Sequence, residues 1–317
     1  MSDPIVSSAS DTALQRLVEA LHEQDYRFVT VTPVTHARVN ARPGNEEARS
    51  LRDVFGWSRP FRTELLPPEI LGLMDEGGVL VREGGLCRSL VRVSSLDGLL
   101  FLHSAFPTTG ADAVFFGPDT YRFANAITAE LRLRQQPVRR AVDIGCGAGP
   151  GGIVVARSCP GAEVAMVDIN DAALRLARLN ASLAGAGNAR AVHSDLLTGV
   201  EGEFDFIVAN PPYLVDPARR AYRHGGGDLG AGLSLAILDA ALERLSVSGT
   251  IVLYTGAAVV NGEDPFRSAA AARLAGRAED WSYREMDPDV FGEELDAEAY
   301  RRADRIAAVV LTVNRRK

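Results

Sequence analysis

The sequence Val142-Asp143-Ile144-Gly145-Cys146-Gly147-Ala148-Gly149 decides the fold of this 317-residue chain. An apolar run ends here in an acid, and a glycine-rich turn then leads into the apolar residues 152–156, which predict a helix. Glycine permits a tight backbone turn and leaves main-chain N–H groups open to a ligand. We therefore expect a strand–turn–helix unit that holds a nucleoside, with Gly145, Gly147 and Gly149 as candidate contacts.

Two acids downstream follow further predicted strands. The apolar residues 164–167 end in Asp168, about 20 residues after the turn, where a carboxylate can accept hydrogen bonds from a ribose diol. Asp195 ends the third strand and can accept a hydrogen bond from an adenine amino group. Ile169 and Leu196 directly follow these acids, so they are candidate contacts to the same ligand.

Strands and helices alternate from Arg140 onward, which is typical of a parallel sheet with helices on both faces. Two further strands, 281–285 and 306–313, suit an antiparallel hairpin at the sheet edge, with no strong helix between them. The predicted fold is therefore a doubly wound, Rossmann-like α/β sheet. The predicted elements of its parallel part are strands 140–144, 163–168, 189–193, 204–209 and 250–255 and helices 151–158, 171–184 and 232–246.

Polar side chains end four of these strands. A doubly wound sheet binds its ligand at the carboxyl ends of its strands, where the strand order reverses. Asp143, Asp168, Asp195 and Asn210 all fall at such ends. We therefore expect these four residues to border one site.

The N-terminal third has a different pattern. Residues 1–110 predict a smaller α+β domain, and residues 111–317 the sheet domain. Helices are expected to begin near Asp11, Asn45 and Pro67, and short strands with hairpin turns follow them. Such a module resembles a winged helix and would recognise or dock a substrate. It holds 11 arginines against 14 acids, so protein docking or a purely structural role is at least as well supported as nucleic-acid binding.

The composition limits location and partners. No run of about 18 apolar residues occurs, and no basic-then-apolar leader opens the sequence, so we expect neither a membrane span nor a signal peptide. The 3 cysteines show no ligand spacing, which indicates a reducing cytoplasm and no metal site. One lysine among 34 lysines and arginines suggests GC-rich bacterial coding, and the net charge of −7 gives no general attraction to a phosphate backbone.

The tetrapeptide Asn210-Pro211-Pro212-Tyr213 indicates what the site acts on. An amide or aromatic amine nitrogen is a poor nucleophile because its lone pair is delocalised. Two hydrogen-bond acceptors, the side-chain oxygen of Asn210 and the carbonyl of Pro211, can hold such an NH2 group and turn its lone pair toward an electrophile. Tyr213 can stack on the planar group, and Pro212 borders it. These residues predict methyl transfer to a planar NH2, with Asn210 also next to the cofactor.

Two cofactors are compatible with the glycine turn. Residues 147–152 satisfy the dinucleotide spacing G-x-G-x-x-G, so a nicotinamide-dependent oxidoreductase is one alternative. Asp143, however, precedes the first glycine by two residues, where its carboxylate can face a cationic ligand or fix the loop. Together with Asp195, it favours a cofactor with one ribose, one adenine and a positive charge, which is S-adenosylmethionine.

Residues 115–256 resemble the class I S-adenosylmethionine-dependent methyltransferases that carry an Asn-Pro-Pro-Tyr motif, and among these the release-factor glutamine methyltransferases. The residues that match the family's motifs are Pro118-Asp119-Thr120 ahead of the sheet, Asp143, Gly145 and Gly147 in the turn, Asp168, and the complete tetrapeptide. The resemblance implies that Asp119 and Thr120 also contact the cofactor. It implies a protein glutamine amide, as in a release factor, as the acceptor. The alternative is an adenine or guanine amino group in structured ribosomal or transfer RNA.

Two segments depart from that family. The loop 222–228 follows the tetrapeptide and contains His224, which we take as a substrate-pocket residue that makes a loop contact and not as a catalytic base. The segment 287–294 is the second departure. We expect both segments to border the substrate pocket.

Overall fold

A computed structural model describes residues 8–220, 222–277 and 279–316, so the expected absence of a leader falls outside the described part. The chain forms two compact units. The first comprises Met1–Pro118 and Leu179–Gly185, and the second comprises Asp119–Arg178 and Ala186–Lys317. Within the described residues, helices long and apolar enough to cross a membrane are absent, as are groups of three or more metal-ligating side chains.

The first unit contains short helices and two separate hairpins, in which β1 pairs with β2 and β3 with β4. Two predicted helix starts were wrong, because serines cap these helices. Ser8 caps the first helix and accepts from the N–H of Asp11, and Ser50, not Asn45, caps the third. The helix α2 was not predicted. The elements are α1 (Ala9–Glu23), α2 (Pro33–Asn40), α3 (Leu51–Phe55), α4 (Pro68–Glu76), β1 (Leu80–Glu83), β2 (Leu86–Ser89), β3 (Val91–Leu96) and β4 (Leu99–Ser104).

The rest of the chain alternates between strands and helices, as predicted. Its last part adds the helix α9, which was not predicted, and two short 3-10 turns, Gly292–Asp296 and Glu298–Tyr300. The elements are α5 (Pro118–Leu133), β5 (Arg140–Ile144), α6 (Pro150–Ser158), β6 (Glu163–Asp168), α7 (Asp171–Leu183), β7 (Ala189–His193), β8 (Phe204–Ala209), α8 (Gly232–Arg244), β9 (Leu245–Val259), α9 (Pro265–Leu274), β10 (Glu279–Asp287) and β11 (Arg305–Arg315).

The second unit is built on a seven-stranded sheet with the order β10-β11-β9-β8-β5-β6-β7. The five strands β5 to β9 are parallel, whereas β11 is antiparallel to both β9 and β10. This confirms the doubly wound, Rossmann-like fold with an antiparallel edge hairpin. The strand order reverses between β5 and β8, which is where such a sheet binds its ligand. The helices α8 and α9 bury one face of the sheet in an apolar core.

Candidate active site

The glycine turn follows the central strand β5. Gly145, Gly147 and Gly149 have φ values of 69°, 55° and 85°, a backbone region that side chains other than glycine rarely adopt. A Cβ atom at Gly145 would meet no atom within 4 Å, whereas one at Gly149 would press against Met166 and Ala177. The turn therefore packs on the sheet at its end and is open at its beginning, where a ligand can approach its backbone.

Asp143 fixes this turn from below. Its Oδ2 accepts a hydrogen bond of 2.7 Å from the N–H of Gly152, and the residue is 1% exposed. Burial and, to a smaller extent, the neighbouring Asp168 raise the pKa of the Asp143 carboxyl to about 7, although the hydrogen bond from Gly152 opposes this shift. Of the two roles considered from the sequence, the geometry supports loop fixation.

This burial predicts a pH effect on stability. The Asp143 carboxyl stays protonated up to about pH 7 in the folded protein but ionises near its ordinary pKa in the unfolded chain. Between about pH 4 and 7 the folded state binds more protons, so the contribution of this group to the free energy of unfolding falls as the pH rises. Asp143→Asn cannot titrate. Urea unfolding of the cofactor-free protein should show wild type losing stability relative to this variant by up to about 1.4 kcal/mol per pH unit. A constant difference across this range would contradict the assignment.

The other acids predicted for the cofactor lie at neighbouring strand ends. Asp168 Oδ2 accepts a hydrogen bond of 2.9 Å from Gly147, and its Oδ1 accepts one of 2.9 Å from Asn170. Ile169 is 56% exposed, an unusual position for a large apolar side chain, and Asp195 is exposed. An exposed apolar surface beside two carboxylates suits an adenosine, because a flat base and a ribose diol need these two kinds of surface.

Leu196 follows Asp195 and has a φ of 50°. A positive φ is unfavourable for a leucine, so the contacts of the turn after β7 must hold this backbone in place. The side-chain hydroxyl of Ser194 supports the same turn, because it donates to the carbonyl of Leu196 and accepts from the N–H of Gly199 at 2.8 Å. The predicted pair of Asp195 and Leu196 therefore lies on one rigid turn.

The tetrapeptide begins directly beside the glycine turn. The sheet register pairs Ile144 of β5 with Ala209 of β8, so Gly145 and Asn210 are the next residues on two adjacent strands. Asn210 is partly exposed, and its side-chain amide forms no hydrogen bond with the described part of the chain. Pro211 is buried and Pro212 is partly exposed. The amide of Asn210 is therefore available to a ligand at the point where the strand order reverses.

Tyr213 is held by a buried carboxylate. Its hydroxyl donates a hydrogen bond of 2.8 Å to Asp119 Oδ2, and the hydroxyl of Tyr254 donates one of 2.6 Å to Asp119 Oδ1. Burial raises the pKa of Asp119, and the two tyrosine hydrogen bonds oppose this shift. Asp119 and Thr120 lie at the start of α5 and are 3% and 5% exposed. The helix brings the Asp119 carboxylate to the tetrapeptide.

The role of Tyr254 was missed from the sequence. Its position at the end of a predicted strand was the available signal. The hydrogen bond to Asp119 spans 135 residues of sequence, and local pattern gives no information on such a pairing.

Three glycines pack against the tetrapeptide. A Cβ atom at Gly225 or Gly230 would overlap main-chain atoms around Tyr213, and one at Gly256 would overlap the ring of Tyr213. His224 belongs to the same loop, and its Nδ1 accepts a hydrogen bond of 3.2 Å from the N–H of Asp216. The structure therefore gives His224 a loop contact, while its predicted contact with substrate stays a prediction.

Replacing Gly256 by alanine should disturb the site. The added methyl group would force the Tyr213 ring to move, at a cost of about 1–3 kcal/mol in the free energy of unfolding, and methyl transfer should fall. Gly161→Ala is the matched control, because a Cβ there meets no atom within 4 Å; it should change stability by less than about 0.5 kcal/mol. Urea unfolding and initial rates measure both effects. Equal behaviour of the two variants would show that Tyr213 is not packed on Gly256.

The two segments that depart from the family meet at the tetrapeptide. We call residues 287–300 the strap. The ring centroid of Phe291 in the strap lies 6.1 Å from that of Tyr213. Glu294 pairs with Arg223 of the loop, and the hydroxyl of Tyr300 accepts a hydrogen bond of 2.9 Å from the N–H of Val215. The structure therefore brings both segments next to the tetrapeptide, while their contact with a substrate stays a prediction.

Sequence comparison gives a consistent picture. The profile of the Methyltransferase small domain family (MTS) matches residues 124–255. The release factor glutamine methyltransferase of Deinococcus radiodurans is 33% identical over 198 residues, 61% of this chain and 69% of that protein. The ribosomal protein uL3 glutamine methyltransferase of Xanthomonas campestris is 36% identical over 130 residues, 38% of this chain and 42% of its own.

An RNA-modifying protein is also similar over a shorter region. The ribosomal RNA small subunit methyltransferase C of Pasteurella multocida is 41% identical over 95 residues, which are 29% of this chain and 28% of that protein. All of these relatives are methyltransferases, so the nicotinamide-dependent alternative is wrong. Because the match to the Deinococcus protein extends over more than two thirds of its length, the chain belongs to the release factor glutamine methyltransferase family of S-adenosylmethionine-dependent enzymes.

Proposed function

We propose that this enzyme transfers a methyl group from S-adenosylmethionine to the side-chain amide nitrogen of a glutamine in a protein. The observation that carries the proposal is the register of β5 and β8, which puts the free amide of Asn210 beside the open start of the glycine turn. A cofactor held by the turn and an NH2 group held by the tetrapeptide would then share one edge of the sheet.

The residues at the strand ends fit the cofactor. The backbone of Gly145, Gly147 and Gly149 is available for close approach, Asp168 and Asp195 can accept hydrogen bonds from a ribose and an adenine, and Ile169 and Leu196 offer apolar contact. When bound, S-adenosylmethionine supplies a methyl group on a positively charged sulfur. Asp119 contributes to the site indirectly, because its carboxylate holds the two tyrosines, and Thr120 follows it in α5.

The tetrapeptide orients the acceptor. The side-chain oxygen of Asn210 and the carbonyl oxygen of Pro211 each accept one N–H of the NH2 group, which turns the nitrogen lone pair out of conjugation and toward the glycine turn. These hydrogen bonds strengthen as the nitrogen becomes positively charged in the transition state. They therefore stabilise the transition state more than the bound ground state, and this lowers the barrier. No residue needs to act as a base before transfer, since the proton can leave to water afterwards.

A protein acceptor is favoured over RNA by two observations. The relatives similar over 198 and 130 residues are named for glutamine methylation, whereas the RNA enzyme is similar over 95 residues. The chain carries a net charge of −7, and its first 110 residues hold more acids than arginines, which opposes general binding to a phosphate backbone. We propose release factors or ribosomal protein uL3 as acceptors and the cytoplasm as location, with residues 1–110 as the docking domain. RNA exocyclic amines are the second candidate, because of the similarity to the Pasteurella RNA enzyme.

Labelling a lysate with tritiated S-adenosylmethionine tests this proposal. The lysate comes from a strain that lacks the gene, and the labelled products are treated with nuclease or with protease. We expect label that survives nuclease and is lost with protease. Purified release factors and uL3 of the same organism should then accept the label, and replacing the labelled glutamine by alanine should abolish it. Nuclease-sensitive label would instead identify RNA as the acceptor and overturn the proposal.

A further inference from the structure

The ring of Tyr213 is largely covered, although the sequence predicts that this ring stacks on the planar acceptor group. The residue is 7% exposed, its hydroxyl is bound to Asp119, and the ring packs on the backbone of Gly256. A planar NH2 group that enters next to Asn210 therefore finds little free aromatic surface on Tyr213 itself.

Phe291 offers such a surface. It is partly exposed, and its ring lies 6.1 Å from that of Tyr213 at an interplanar angle of 56°. Phe291 comes from the strap, outside the residues that match the methyltransferase profile and within the segment 287–294 that the sequence predicts to border the substrate pocket.

The backbone of Phe291 is held in an unfavourable conformation. Its φ and ψ are 55° and 43°, in the left-handed region, even though the next residue, Gly292, would adopt that region without strain. A left-handed conformation is unfavourable for a phenylalanine and persists only where the surroundings impose it. Here the N–H of Val290 donates to Ile306, and the carbonyl of Phe291 accepts from Glu294 at 2.8 Å.

Contacts on either side of Phe291 fix the strap to the tetrapeptide. Before it, Asp287 pairs with Arg122 at 2.7 Å, and Arg122 also contacts the Asp119 carboxylate at 3.3 Å. After it, Glu294 and Tyr300 hold the segment that follows Tyr213. The aromatic side chain is thus positioned by the same network that holds the tyrosine of the tetrapeptide.

We propose that Phe291 is a specificity-determining residue, whose partly exposed ring packs against the flat end of the acceptor amide beside Asn210. This inference rests on the proposed function and deepens it, because it names the side chain that selects a planar acceptor group. The flat, partly apolar amide end of a glutamine can lie against an aromatic face, which gives it a larger contact area than a side chain without a flat face would give.

Steady-state kinetics of three variants test the proposal. The substrate is the unmethylated form of the acceptor that the lysate labelling identifies. Phe291→Ala should raise the KM for this acceptor about 3- to 10-fold, while kcat and the Kd for S-adenosylhomocysteine stay within about twofold of wild type. Phe291→Tyr should restore the wild-type KM. Phe291→Leu, which keeps apolar volume without a flat face, should not. Trp281→Ala is the matched control, since it removes an exposed aromatic from the neighbouring strand β10 and should leave KM unchanged.

The outcomes separate this inference from the proposed function. If the label proves to be on RNA, the glutamine proposal fails, yet the ratio of variant to wild-type KM still reports on Phe291. An unchanged KM in Phe291→Ala overturns the inference even if glutamine is the acceptor. Full recovery by Phe291→Leu also overturns it, because packing alone would then explain the effect. Thermal unfolding and the Kd for S-adenosylhomocysteine check that the alanine variant retains its fold.

Discussion

Asn210→Ala should lower kcat about 100- to 1,000-fold while the Kd for S-adenosylhomocysteine stays within about threefold of wild type. In the proposed mechanism, the variant loses one of the two oxygens that hold the NH2 group and turn its lone pair. Because the Asn210 amide forms no hydrogen bond with the described part of the chain, its removal leaves no buried partner unpaired. Stability should therefore change little, and the loss should appear in the chemical step.

Asn314→Ala is the matched control for this variant. Asn314 carries the same amide but lies near the end of β11 that pairs with Thr250, and its side-chain oxygen accepts a hydrogen bond of 2.8 Å from Thr250. This is the end of the sheet opposite to Asn210. Single-turnover methyl transfer and calorimetric titration of S-adenosylhomocysteine measure the two quantities. Undiminished transfer by Asn210→Ala would remove the role assigned to the tetrapeptide.

Asp119→Ala should destabilise the protein by about 2–4 kcal/mol and also reduce methyl transfer. The substitution leaves the buried hydroxyls of Tyr213 and Tyr254 without their acceptor, and each unpaired buried group costs free energy. It also frees the Tyr213 ring. Asp119→Asn should be milder, because an amide oxygen can still accept one of the two hydrogen bonds.

A double-mutant cycle with Tyr254→Phe separates the hydrogen bond from general packing. Asp119→Ala leaves the Tyr254 hydroxyl unpaired, and adding Tyr254→Phe removes that hydroxyl. The double variant should therefore be more stable than the sum of the single effects predicts. Urea unfolding of the four proteins measures this coupling. Strict additivity would show that Tyr254 does not depend on the Asp119 carboxylate.

The parallel half of the sheet could be predicted from sequence because each strand there is a short apolar run that ends in a polar residue. The predicted bounds of β5 to β8 agree with the structure for this reason. The helix α9 was missed, because its alanine-rich sequence after Asp264 gives a weak apolar periodicity and its N-cap alone was not decisive. The strand β9 runs from Leu245 to Val259, well beyond the predicted 250–255.

The site was predictable only where one segment carries the chemistry. The glycine turn and the tetrapeptide are contiguous, and their adjacency followed from the fold class. The network around Asp119 was not predictable in this way, since it joins residues from α5, the tetrapeptide and β9. The family resemblance suggested a cofactor contact for Asp119, but its carboxylate is occupied by two tyrosine hydroxyls. Contacts between side chains so far apart in sequence depend on packing, which composition and spacing do not report.

The strap lies within the connection between β10 and β11, two strands that pair with each other from Glu279↔Arg315 to Asp287↔Ala308. Both ends of this connection are thus anchored in the sheet independently of the residues between them. Residues 288–304 therefore form a cassette that can be exchanged without breaking the pairing of β10 with β11, although exchange also replaces the contacts of Glu294 and Tyr300 with the segment after Tyr213. Relatives that share the transfer chemistry but differ in the molecule they modify should then differ most in this cassette.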